Sequence, residues 1–528
     1  MQKTQANKGW IRRVTPGLEP PSLGDNTADV DRLTRGIKKA LGTAQDVCVG
    51  LSRAGKVSAF LRKWDYQVKA SIYEDHGCWH LIDITDARDE EGLFGMALDL
   101  GSSTLVVRLL DLETGDRIDE ISFHNPQIEV GADILARIHF ASKEEGLAKL
   151  QAMVINRLNE AVEDLCSKHG IRKESVMAMS VAGNTTMTHL FLGLSPYWLC
   201  REPYIPVLNR AELIPSSELN LVIHPAAPVL AAPNVGSYFG GDLIAGILAS
   251  GMHQQEQVSF LVDVGTNAEV VIGNRDWLMA CAGAAGPALE GGVADMGMMA
   301  GPGVIDRVVI DPDTREFKIG IIRDETHEGL RTKGPVGICG SGLIDLAAQL
   351  FRAGMIDLRG KFVDAACANR LVEEDGIRHL IVVFPHESGT GRSLTLSQTD
   401  IDGLIRSKAA MYTILTTIAN TVNISFPEIG KFYVAGTFGS YIDPRSAIMI
   451  GMLPDLPLDT YASLGNTSLE GAAMALLDAE AKASLFQIRD RITYLELNVN
   501  QEFMNLFSAA RFIPHTDRSL FPSVTAGG

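Results

Sequence analysis

Residues 94–123 read FGMALDLGSSTLVVRLLDLETGDRIDEISF. An apolar run carries Asp99 near its end. A small-residue turn follows at Gly101-Ser102-Ser103, then a second apolar run, the polar turn ETGD and a third run. Runs of this kind joined by short polar turns make an antiparallel meander. Residues 259–286, SFLVDVGTNAEVVIGNRDWLMACAGAAG, repeat the scheme, with Asp263 before Gly265-Thr266-Asn267 and GNRD as the second turn. A strand–turn–strand unit that recurs within one chain predicts two similar lobes.

Helices separate the two copies. LAKLQAMVINRLNEAVEDLCSKHG places Leu147, Leu150, Val154, Leu158, Ala161, Val162 and Leu165 on one face, and Gly170 is set to end that helix. The strand VMAMSVAG comes next, and Asn184 heads another helix. Further on, Ser341 is placed to cap GLIDLAAQLFRAG, and Ser397 with Asp400 forms a capping box before a long helix. The strand KFYVAGTF ends in the turn Gly436-Thr437-Phe438-Gly439-Ser440. Alternating strands and helices predict an α/β protein. Residues 1–45 read as a linker with one short helix carrying Val30, Leu33, Ile37 and Leu41, and residues 46–93 as a small α/β domain. Residues 94–528 form the two lobes, the second starting near 258.

The 528 residues exceed what one hydrophobic core serves. A net charge of -17 argues against nucleic acid and anionic membrane as partners. MQKTQANKGWIRR lacks the apolar stretch of a signal peptide, and no run approaches the ~20 residues that span a bilayer, so a cytoplasmic location is expected. The seven cysteines form no CxxC or cluster-binding run and read as unpaired, mostly buried thiols.

The glycine turns suggest phosphate chemistry. Backbone N–H donors reach phosphates only from loops without bulky side chains, as Gly101 and Gly265 allow. Ser102, Ser103 and Thr266 add hydroxyl donors. Mg²⁺ keeps most of its waters and is held by one or two carboxylates, a role open to Asp99 and Asp263. Each turn alone could be an ordinary hairpin; two in matching meanders, with a third glycine-rich strand end, favour a nucleotide clamp. No Walker loop or Rossmann fingerprint occurs. The stretch from Gly283 to Gly292 reads equally as an adenosine or phosphate loop or a flexible connection.

These motifs resemble the phosphate-1, phosphate-2 and adenosine motifs of the acetate and sugar kinase, heat-shock chaperone and actin superfamily. Within it, NPQIEVGADILARI (125–138), VAGNTTMTHLFLG (181–193), GPVGICGSGLIDLAAQLFRAGMID (334–357), VAGTFGSYID (434–443) and GNTSLEGAAMALL (465–477) are similar to the ATP-dependent reductive activators of corrinoid proteins. The resemblance implies two actin-like (ribonuclease H-like) lobes around a nucleotide cleft, preceded by the small domain. It implies ATP hydrolysis coupled to reduction of Co(II) to Co(I) in a corrinoid methyl carrier. Asp99 and Asp263 would organise Mg²⁺ and the attacking water. Gly101, Ser102, Ser103, Gly265, Thr266 and Asn267 would hold the phosphates, and Gly436, Thr437 and Gly439 the adenosine side. Asn184, Asp242, Gly283 and Gly286 are further cleft candidates. Such activators usually carry an iron–sulfur cluster; the cysteine spacing predicts none in this chain, so electrons are expected from a separate donor such as a ferredoxin. A homodimer is expected on the same resemblance. A small-molecule kinase of the superfamily and a non-catalytic nucleotide-gated partner protein are the alternatives.

Overall fold

A computed structural model describes residues 9–264, 267–284, 294–323, 334–436, 439, 442–497 and 501–524. The chain divides into two compact units, one of residues 1–249 with 467–490, the other of 250–466 with 491–528.

The first unit begins with a four-stranded sheet of β1 (Ile11–Val14), β2 (Asp46–Cys48), β3 (Val68–Asp75) and β4 (Cys78–Asp86), in the order β1-β3-β4-β2. The helix Asp29–Leu41 carries the periodic apolar residues read from the sequence, and Leu33 and Ile37 are buried against Leu61, Val68, Ile72 and Trp79. The strand Ile11–Val14 pairs antiparallel with β3, so residues before the helix belong to this sheet.

Next come β5 (Phe94–Leu100), β6 (Thr104–Asp111), β7 (Arg117–His124), β8 (Val176–Gly183), β9 (Ile214–Pro215) and β10 (Pro228–Ala231), ordered β7-β6-β5-β8-β10-β9. β5, β6 and β7 form the antiparallel meander; β8 lies parallel to β5, and β10 parallel to β8. Every residue of β8 is buried, which is why VMAMSVAG reads as an unbroken apolar run. The helix Gly146–His169 buries Leu150, Val154, Leu158, Ala161, Val162 and Leu165 and ends at Gly170, whose φ of 65° is the left-handed cap. The helix Thr467–Leu477, far along the chain, packs on β5 and β8.

The second unit contains β11 (Ser259–Val264), β12 (Asn267–Gly273) and β13 (Leu278–Ala284). β14 (Val304–Ile310), β15 (Phe317–Ile321) and β16 (Gly337–Ile338) form one small sheet; β17 (Leu371–Glu374), β18 (Ile377–Val383) and β19 (Leu394–Ser397) form another. β20 (Lys431–Ala435), β21 (Tyr461–Gly465) and β22 (Ile492–Tyr494) join the first three strands in the order β21-β20-β11-β12-β13-β22. Here too a meander is followed by two parallel strands, β20 on β11 and β21 on β20. The duplication read in the two meanders therefore extends to five strands of each sheet. The units differ at the margins, where β9 extends one sheet beyond β10 and β22 extends the other beyond β13.

The helix Gln398–Thr421 starts at the Ser397–Asp400 capping box, with both reciprocal bonds formed. Ser341 caps nothing: the helix Gly340–Arg352 starts after Cys339, and the Ser341 hydroxyl lies 3.1 Å from the Cys339 thiol. Residue 341 is already inside the first turn, two positions past the N-cap Cys339, where a side chain no longer caps.

The C-terminal segment is held closely in this unit. Gly451 has a φ of 74°, and a Cβ there would lie 1.9 Å from the Pro514 carbonyl oxygen. Gly451→Ala is expected to cost about 3 kcal/mol, from left-handed backbone and overpacking together. Calorimetry checks this; a loss below about 1 kcal/mol, the scale of an ordinary substitution, contradicts it.

Candidate functional site

In each unit the chemistry-bearing residues sit where parallel strands end. In-register pairing across β5 and β8 sets Asp99 opposite Ala182, with Gly183 and Asn184 next along the chain. Pairing across β11 and β20 sets Asp263 opposite Ala435, with Gly436 next. The two Asp/Ala-Gly arrangements thus occupy the same place in two sheets of the same strand order. Carboxyl ends of parallel strands are where open α/β sheets bind ligands.

In the first unit Asp99 is half-buried, and its Oδ1 accepts a hydrogen bond of 2.8 Å from the Ser468 hydroxyl. Ser468 is buried in the first turn of the helix Thr467–Leu477. Gly101 is required by space: a Cβ would lie 2.3 Å from the Thr104 carbonyl oxygen. The turn at Ser102 and Ser103 is tied from behind by buried Asn125, whose amide donates to Gly101 O at 2.9 Å and whose N–H donates to Ser103 O at 2.9 Å. Asn184 and Asp242 come together around Gly240. A Cβ on Gly240 would meet Asn184 Cα at 2.3 Å and Asp242 Oδ1 at 2.5 Å. The Asn184 oxygen accepts from Met187 N at 2.9 Å and caps the helix Thr185–Phe191, while Asp242 Oδ1 accepts from Leu243 N at 2.8 Å.

In the second unit Asp263 is half-buried and Gly436 has a φ of 79°. A Cβ at 436 would stand 2.9 Å from Asp263 Oδ1, so any other residue there would crowd that carboxylate. The hairpin register sets Glu269 directly across from Asp263. Paired residues of an antiparallel ladder project to one side, which gives this strand end two carboxylates. Gly283 packs against the helix Gln398–Thr421, since a Cβ would lie 2.5 Å from Ile414 Cδ1. Gly439 is buried against the Val434 carbonyl. Asn267 opens β12. Gly265, Thr266, Gly286 and Thr437 lie outside the described residues.

Ser468, Asn125 and Glu269 were not singled out from the sequence. Glu269 was accessible through the hairpin spacing. Ser468 was not, because nothing local links it to an aspartate 369 positions earlier.

Cys48 and Cys78 correct the reading of unpaired thiols: they form a disulfide, with Cα atoms 6.7 Å apart. Parallel pairing of β2 with β4 brings them together. Cys166, Cys281, Cys339 and Cys367 are buried free thiols, and burial pushes Cys166 and Cys367 each up to about 11. Among the described residues no helix is long and apolar enough to cross a membrane.

The chain is similar to known proteins along most of its length. The corrinoid activation enzyme RamQ of Eubacterium limosum is 31% identical over 81% of this chain and 72% of its own length. A Methanosarcina barkeri [Co(II) methylated amine-specific corrinoid protein] reductase is 23% identical, over 79% of this chain and 76% of its own. The solved structure of a reductive activator for corrinoid, iron–sulfur protein superposes with a TM-score of 0.88 at 36% identity, covering 99% of this chain and 82% of that one. Residues 10–91 match the RACo linker region, 94–255 the RACo middle region, and 257–525 the C-terminal domain of RACo, the ASKHA domain. With three consecutive RACo regions over nearly its whole length, the chain belongs to the RACo family.

Proposed function

We propose that this protein is an ATPase that reductively activates a corrinoid protein, returning its cobalt from Co(II) to Co(I). The observation that carries the ATPase reading is the matched register of Asp99 with Ala182-Gly183 and of Asp263 with Ala435-Gly436. The residues present suit ATP with Mg²⁺: the donors are hard carboxylate oxygens, and glycines stand where a Cβ would crowd a turn or a carboxylate. Bound ATP would supply the free energy for an otherwise unfavourable reduction. Asp99 and Asp263 organise the Mg²⁺ waters and orient the attacking water. Gly101, Ser102, Ser103, Gly265, Thr266 and Asn267 hold phosphates; Gly436, Thr437 and Gly439 line the adenosine side. Asn184 and Asp242 belong to the same strand end as Asp99, and Glu269 supports Asp263. Each cobalt receives one electron from a separate donor such as a ferredoxin, and the working form is a homodimer.

The test combines purified protein, ATP, a reduced ferredoxin and a Co(II) corrinoid protein under anaerobic conditions. Co(I) absorbance that appears only with ATP, together with phosphate release stimulated by the corrinoid protein, is the expected result. Phosphate transferred to a sugar instead would favour a kinase, and ATP bound without turnover a nucleotide-gated partner protein.

Ser468→Ala is expected to leave the fold intact and lower ATP turnover about tenfold, the value of one hydrogen bond to a charged group. Because the hydroxyl acts through Asp99, the Mg²⁺ concentration for half-maximal turnover should rise. An unchanged Mg²⁺ dependence would make Ser468 purely structural.

A further inference from the structure

We infer that Cys48, Cys78 and His80 form a thiolate–imidazole site for a divalent cation of the Zn²⁺ class, opened when the Cys48–Cys78 disulfide is reduced. The three ligand atoms already lie within 4.8 Å of one another. The backbone explains why. β2 and β4 pair in parallel with Cys48 opposite His80, so these two side chains share a face of the sheet. Cys78 is two residues before His80 on β4, and the strand period of two puts it on that face as well. Trp79 and Leu81, the alternate residues, point into the apolar core. Two sulfurs and one imidazole therefore converge at a sheet edge.

The donor set is specific. Two thiolates with one imidazole suit Zn²⁺, which takes sulfur and nitrogen ligands tetrahedrally and accepts water in a fourth position. Cys48 is exposed and Cys78 and His80 are half-buried, so a cation and its water can enter. The imidazole is held in place: Tyr73, opposite His80 in the β3–β4 ladder, stacks on its ring at 4.9 Å between centroids and 16° between planes. The Cys78 sulfur lies 3.3 Å from the Asp46 carbonyl oxygen, which fixes its side of the site. A disulfide alone gives His80 no part. A cation uses all three groups and keeps β2, the edge strand, fastened to β4 after the sulfur–sulfur bond is gone.

The exchange balances. An external dithiol reduces the disulfide, is itself oxidised to a disulfide, and its two protons pass to Cys48 and Cys78. Zn²⁺ then displaces both thiol protons, forming two Zn–S bonds, and takes one imidazole nitrogen. Exchange with an external disulfide, which takes up the two electrons and two protons from water to become a dithiol, returns the pair to the disulfide and expels the cation.

The test uses the full chain, reduced anaerobically with a dithiol, freed of reductant and titrated with Co²⁺ as a spectroscopic stand-in. One equivalent per chain should bind, with thiolate-to-metal charge-transfer absorption that Zn²⁺ abolishes. The oxidised protein should bind none. Cys48→Ser and Cys78→Ser should remove the absorption. His80→Asn, which keeps the disulfide intact, should weaken binding at least about tenfold, the scale seen when groups around a metal are altered. Circular dichroism identifies any variant that fails to fold, and Cys48→Ser, at an exposed position, is the ligand change least able to disturb packing. Binding that ignores His80, equal binding by the oxidised protein, thiols that do not appear after dithiol treatment, or iron with acid-labile sulfide instead of a single cation would each overturn the inference.

Discussion

Asp263→Asn is expected to leave the fold intact and to cut ATP hydrolysis about 10²–10³-fold, the loss typical when one preorganised charge-stabilising group is removed from an active site. The substitution keeps the shape of the side chain, so the β11–β12 and β11–β20 ladders should be undisturbed. It removes the negative charge that a hydrated Mg²⁺ requires, because an amide oxygen is a much weaker partner for metal-bound water. Glu269 across the ladder cannot replace it, since its longer side chain starts from the neighbouring strand. Asp99→Asn should act in the same direction, with Ser468 left donating to an amide oxygen. Phosphate release under saturating ATP and Mg²⁺, with unfolding temperatures measured beside it, is the check. Wild-type turnover in a folded Asp263→Asn protein would move the catalytic charge elsewhere.

Lys408→Met is expected to abolish a component of stability that grows with pH. Lys408 is fully buried in the helix Gln398–Thr421, and its amine donates to the carbonyl oxygens of Phe512 and of Pro514, the latter at 2.7 Å. Ile356, Ile401, Ile405, Ile450 and Ile513 surround it. Carbonyls carry no countercharge, so burial dominates and pushes the amine down to about 7 from its ordinary value of 10.5. Between those two values the unfolded chain holds a proton that the folded chain lacks, and raising the pH therefore favours the fold. Below about 7 both states are protonated and the full cost of burying the charge is present. The wild type should gain stability relative to the variant at up to about 1.4 kcal/mol per pH unit across this window. Methionine also leaves two carbonyls without a donor, each worth about 1–3 kcal/mol when buried. Unfolding of both proteins at a series of pH values from 6 to 10 decides the point. Parallel profiles would show that Lys408 keeps its ordinary charge.

Much of this protein is legible in sequence because it is local. The meanders follow from alternating runs and polar turns, the 398–421 helix from a capping box, and the helix end at Gly170 from a left-handed glycine. Asp99 and Asp263 stood out because each precedes a small-residue turn. The sequence repeat covers only the three strands of each meander; that two parallel strands follow in the same order in both sheets is seen only in the structure.

What the sequence did not contain is any contact between elements distant along the chain. That residues 467–490 return to the first unit places Ser468 on Asp99. That β1 reaches back to β3 makes the first strand part of the small sheet. That β2 lies parallel to β4 turns two cysteines thirty residues apart into a bonded pair with a histidine beside it. By itself the sequence determined the two meanders, the main helices between them and the aspartates near the ends of their first strands. The tertiary structure decided which hydroxyl holds Asp99 and which thiols meet. The physical reason is range: turns, caps and periodicity act over a few residues, whereas strand order and helix docking are set by burial of whole apolar faces, which no short window records.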